Sequence, residues 1–74
     1  MTLNQLAPGR ESVVEKIDTD ENLQRRLADF GMIPGTVVGC SYRSPGGGVT
    51  AISLRGSVIA LRTADLQRIR VRPV

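Results

Sequence analysis

Catalysis needs nucleophiles, proton carriers or metal ligands, and this sequence offers few. It contains no histidine and one cysteine, Cys40, in 74 residues. A zinc site of the usual kind takes about four cysteine and histidine ligands. A nucleophile–histidine pair cannot be assembled at all. Asp18, Asp20 and Glu21 cluster, and a loosely held divalent cation is one reading of them. They stand just ahead of a helical pattern, though, where carboxylates cap free amides and meet the positive end of the helix dipole. Gly46-Gly47-Gly48 lacks the lysine and hydroxyl residue that complete a phosphate loop, and it precedes a strand rather than a helix. It reads as a hairpin tip. Cys40 reads as a small buried hydrophobe on a strand. No cofactor is expected and no reaction is assembled: the chain is expected to bind rather than to catalyse.

The charges point the same way. The net charge is +3, from ten basic and seven acidic residues. The excess is concentrated late, with five arginines from Arg55 onward against Asp65 alone. Arg68, Arg70 and Arg72 alternate with Ile69 and Val71. A period of two places the arginines on one face of a strand and the apolar pair on the other. Such a row suits an acidic protein surface, an anionic lipid surface or nucleic acid. Nucleic acid is the weaker match, because small barrels that bind single strands also present aromatic platforms. Here Phe30 is expected in the core, which leaves only Tyr42. Arg25 and Arg26 on the helix and the Gly46–Gly48 tip are the other candidate contact sites.

The elements that must position these residues follow from pattern. Leu3 and Leu6 suit one helical turn, ended at Pro8-Gly9. Residues 11–17 form a strand. Residues 21–30 form the one clear helix, with Leu23, Leu27 and Phe30 as its apolar stripe and Gly31 as a left-handed C-terminal cap. Pro34-Gly35 is a type II turn. Strands follow at 36–42, 49–54 and 58–61, the last two joined by the tight turn Arg55-Gly56. Thr63 caps a single turn through Leu66, and 68–72 closes the fold. The expected core is Leu23, Leu27, Phe30, Val38, Ile52, Leu61, Ile69 and Val71. Five short strands and one helix predict an all-β domain over 1–74. Partial closure into a small five-stranded barrel would remove the exposed edges, with one short helix between strands one and two. A lone cysteine, no signal-peptide pattern and no apolar run near the roughly 20 residues of a membrane span predict a cytoplasmic protein.

The run Arg26-Leu27-Ala28-Asp29-Phe30-Gly31-Met32-Ile33-Pro34-Gly35-Thr36 resembles the FeoA family of small accessory proteins in bacterial ferrous iron uptake. Leu3, Leu6 and Gly9 match the family's opening. Ser44-Pro45 and Gly47 match the loop after its second long strand, Arg55-Gly56 its central tight turn, Ala60-Leu61-Arg62 its late Leu-Arg step, and Ile69 and Val71 its closing strand. The central loop departs from the pattern: Gly47, Gly48 and Val49 stand where the family often has Gly-Asp-Pro. The resemblance implies an SH3-like barrel and a non-catalytic regulatory role. It also implies a partner, the FeoB-type ferrous iron permease with its cytoplasmic GTP-binding domain, which would hold the protein at the inner face of the membrane. The same domain type occurs at the end of iron- and manganese-responsive repressors, so metal sensing or delivery is the alternative function. The scarcity of metal ligands weighs against it. Anaerobic calorimetry with ferrous iron is expected to find no site tighter than about micromolar, and a stoichiometric complex well below that would favour the metal-sensing alternative.

Overall fold

The computed structural model describes residues 1–74. A 3-10 turn at Leu3–Gln5 leads into strand β1 (Glu11–Ile17), helix α1 (Glu21–Asp29), strands β2 (Val37–Arg43), β3 (Val49–Leu54) and β4 (Ser57–Arg62), the one-turn helix α2 (Thr63–Leu66) and strand β5 (Ile69–Pro73). The strands form one antiparallel sheet in the order β4-β3-β2-β1-β5. Its concave side holds a single core, built on Leu3, Leu27, Met32, Ile52, Leu66 and Ile69.

The expectation of an all-β domain partly closed into a five-stranded barrel is not met. Closure would require β4 to pair with β5, and the two lie at opposite ends of the sheet. The molecule is a mixed α/β fold, about 22% helical, with an open sheet. It manages one of its edges by other means. The outer edge of β5 is covered by the chain's own start: Thr2 bridges Arg70, and the Val71 amide donates to the Met1 carbonyl at 2.8 Å. Beside β4 stands α1, separated from it by a groove. Arg43 secures the N-terminal segment, its Nη2 donating to the carbonyls of Asn4 and Leu6 at 2.6 and 2.7 Å.

Helix α1 is fixed at both ends. Asp20 Oδ1 accepts from the Leu23 amide at 2.9 Å, and Gln24 Nε2 donates to the carbonyls of Ile17 and Thr19. At the C-terminus the Gly31 amide donates to Ala28 and the Met32 amide to Leu27, both at 2.9 Å. This is a Schellman motif, and Gly31 takes φ +93° to make it. Met32 and Leu27, the two residues that such a motif brings into apolar contact, are both in the core. Phe30, expected there, is 54% exposed, and fully buried Met32 takes the place assigned to it. Phe30 keeps a right-handed helical backbone as the C-cap residue with its ring outside the core, and the chain turns at Gly31 so that Met32 enters it. Leu23 and Leu61, also expected in the core, are only partly buried at its margin.

Bulges explain the remaining differences. Between β2 and β3 the register shifts from Cys40 to Tyr42, so strand parity reverses there. Val38 and Cys40 point inward as expected, but Tyr42 is 59% exposed. A second shift, between Val14 and Lys16, leaves Glu15 and Lys16 both exposed.

Leu27 is 1% exposed at the centre of this packing. Leu27→Ala is expected to cost about 2–5 kcal/mol, a large share of what so small a domain has, and to leave it partly or fully unfolded near 37 °C. A melt matching the parent's would place Leu27 outside the core. Gly31→Ala is expected to cost about 1 kcal/mol through its left-handed backbone. An added Cβ there would also come within 2.9 Å of Arg55 Cδ, a flexible chain that can move aside. An unchanged melting temperature would show that the cap tolerates a side chain.

Candidate partner-binding surface

The row Arg68, Arg70 and Arg72 is where the alternation placed it. Ile69 and Val71 are fully buried and hold β5 in place, while the three arginines are exposed on the other face. The structure separates their roles. Arg68 Nε donates to the Asp18 carbonyl at 2.9 Å, so it also ties the start of β5 to the end of β1. Arg70 lies opposite Lys16 on β1, and Arg72 lies opposite Val13. Like charges facing each other across a sheet destabilise it. Lys16 and Arg70 share a small hollow of about 110 Å³ with Thr2, Gln67, Arg68 and Asp18. The one side-chain salt bridge in the molecule, Arg62–Asp65, lies elsewhere, so the guanidiniums of Arg70 and Arg72 and the Lys16 ammonium have no carboxylate partner. Lys16 is the residue that sequence reasoning missed. Its only signal was its exposed position on β1, and its strand partner depended on a bulge that the sequence did not reveal.

Arg25 and Arg26 do not act as a pair. Neighbours on a helix point about 100° apart. Arg26 faces the groove between α1 and β4, which measures about 520 Å³, whereas Arg25 is not part of its lining. Leu61 and Arg62 line the far wall of that groove, with Arg62 Nε held by Asp65 Oδ2 at 3.1 Å.

The Gly46–Gly48 tip is a defined turn. Gly46 and Gly47 take φ of +90° and +75°, and the Gly47 amide donates to the Ser44 carbonyl at 2.8 Å. The Gly48 carbonyl accepts from Thr63, which ties the tip to the start of α2. Nothing lies within 4 Å of where side chains at these three glycines would begin, so a side chain there would start in open space. Gly35 takes φ +95° within its turn and Gly56 φ +79° within its own, as the sequence required. Arg55 beside it is also left-handed, at φ 49°, which gives the hairpin the twist of a type I′ turn.

No group of three or more histidine, cysteine, aspartate or glutamate side chains converges anywhere, and Cys40 is buried and unpaired. No helix is long and apolar enough to cross a membrane.

The family model of the FeoA domain matches residues 1–73. A FeoA protein from Chlorobium tepidum superposes with a TM-score of 0.96 at 23% identity, over 100% of this chain and 70% of its own, a likeness of fold. FeoA from Stenotrophomonas maltophilia, a procaryotic SH3 domain protein solved with zinc, is 31% identical over 96% of this chain and 88% of its own, with a TM-score of 0.81. A manganese-dependent transcriptional repressor shares the fold at 20% identity and a TM-score of 0.87, this chain covering 41% of it. No curated protein matches the chain.

Proposed function

We propose that this chain, which belongs to the FeoA family, works by docking its basic β1–β5 face onto an acidic surface of the cytoplasmic part of a FeoB-type permease. It is a non-catalytic accessory protein of ferrous-iron transport, and membership of the family implies the permease as its partner. The observation that carries the docking face is the unpaired cross-strand set Lys16, Arg70 and Arg72.

Three physical features make that face a good presenter. Its strand is anchored by two fully buried side chains, so little backbone order is lost on binding. Guanidinium groups form paired hydrogen bonds with carboxylates, which fixes orientation as well as charge. The Lys16–Arg70 repulsion is relieved when an acidic partner arrives, which favours the complex over the free protein. The helix arginines lack this focus, since Arg25 and Arg26 diverge. The glycine tip has no side chains with which to recognise anything.

The test is a charge reversal. Arg70→Glu/Arg72→Glu spares Arg68 and its bond to Asp18. It is expected to melt like the parent and to weaken binding to the detergent-solubilised permease at least tenfold, while Arg25→Glu/Arg26→Glu changes it little. Binding of the parent should also fall as salt rises. An unchanged dissociation constant for a folded Arg70/Arg72 variant would remove the basic face from the interaction.

A further inference from the structure

The outer edge of β4 is an unguarded one. Proteins blunt free edges with bulges, proline, inward charges or a covering segment. β1 and β2 carry bulges, and β5 is covered by Met1 and Thr2. β4 pairs with β3 without a register shift over all six of its residues and contains no proline or lysine. The hairpin geometry fixes which of its backbone groups are free. The closing pair Leu54–Ser57 flanks a two-residue turn, so the bonded pairs are Leu54–Ser57, Ile52–Ile59 and Thr50–Leu61. The Thr63 amide bonded to the Gly48 carbonyl continues that alternation. Val58, Ala60 and Arg62 therefore turn their amides and carbonyls away from the sheet. These are three donors and two free acceptors in extended geometry, since the Arg62 carbonyl accepts the first bond of α2 as its N-cap, with no strand beyond them.

This edge opens into the 520 Å³ groove whose opposite wall is α1. We infer that the groove binds an extended peptide segment of a partner protein, added as a sixth strand on β4. Evenly repeated free backbone groups select an extended chain over a folded surface or a small molecule. The α1 wall leaves a slot beside the edge rather than an open sheet, which fits a single strand better than a second copy of this domain.

The lining gives the peptide a pattern. Three of the seven acidic residues of this basic protein, Asp20, Glu21 and Asp65, lie here. Asp65 is committed to Arg62 and Asp20 to the Leu23 amide as helix cap, so Glu21 offers unpaired negative charge at one end. Arg26 offers positive charge farther along α1, about 7.5 Å from Glu21 along the helix axis. Side chains on the same face of a strand repeat every ~6.8 Å. In a strand that runs in the direction of α1, a basic residue followed two positions later by an acidic one meets both charges. This reading does not depend on the basic β1–β5 face, which lies on other strands and calls for an acidic partner.

The experiment selects from a phage-displayed library of linear dodecapeptides and carries the strongest sequence forward as a synthetic peptide. Its binding is followed by amide hydrogen exchange and titration on the full chain. The expected result is a peptide with the basic-x-acidic pattern that slows exchange at the outward amides of Val58, Ala60 and Arg62. Ala60→Pro deletes one outward donor without touching a β3–β4 bond and should weaken binding at least tenfold. Glu21→Lys, on the exposed face of α1, should do likewise and provides the comparison should the proline variant fail to fold. The inference is overturned by a library that yields no binder, by a binder that protects other amides, or by a folded Ala60→Pro variant that binds unchanged together with an indifferent Glu21→Lys. Protection of these amides that grows with protein concentration alone would assign the edge to a second copy of the chain and overturn it equally.

Discussion

The fold depends on one short stretch of backbone, Gly31 to Thr36. A nine-residue helix does not persist alone in water, so α1 exists only if something holds it against the sheet. The Schellman cap turns the chain so that Met32 enters the core beside Leu27. The turn at Pro34-Gly35 then delivers it to β2. Its groups are spoken for: the Gly35 amide donates to the Val14 carbonyl at 2.7 Å, the Thr36 carbonyl accepts from the Val14 amide at 2.9 Å, and the Thr36 hydroxyl donates to the Gly31 carbonyl at 2.8 Å. Helix end, β1 and the start of β2 are thereby joined in one hydrogen-bonded node. Of the residues in it, Gly31 and Gly35 require a left-handed backbone and Thr36 requires both a donor and an acceptor. This is why the node has so recognisable a sequence.

What could be read from the sequence follows from the range of the interactions. Residues whose behaviour is set within a few positions were legible: Asp20 as cap, Gly31 as left-handed terminator, Gly56 in its turn, and the alternation of Ile69 and Val71 with arginine. Residues whose behaviour depends on a partner strand were not. The side of the sheet on which Tyr42 lies is decided by a bulge against β3, and Lys16 becomes a partner of Arg70 only through a bulge in β1. Sheet closure was the least legible of all. Counting strands and open edges favours a barrel, but the count cannot foresee that Met1 and Thr2 would cover one edge and that α1 would stand beside the other.

The surface is divided by charge in a way the net value conceals. Cations without carboxylate partners gather on the β1–β5 face, and nearly half of the carboxylates gather at the α1–β4 groove. A domain of this size cannot enclose a deep cavity and also fill its core, so any specificity it has must be written on its outside. Segregated charge lets one small protein present two unlike surfaces at opposite edges of the same sheet.

The solitary thiol has a practical consequence. Cys40 is 2% exposed, and its backbone sits where β2 meets the chain entering β1, its amide donating to Arg10 and its carbonyl accepting from Gly9. A thiol-modifying reagent can reach it only when that part of the sheet opens. The rate of modification under native conditions therefore reports the free energy of opening at the heart of the fold, with no label introduced and no denaturant added. Because there is no second cysteine, the signal belongs to one position. The protein thus carries its own gauge of whether a ligand at either surface stiffens the structure between them.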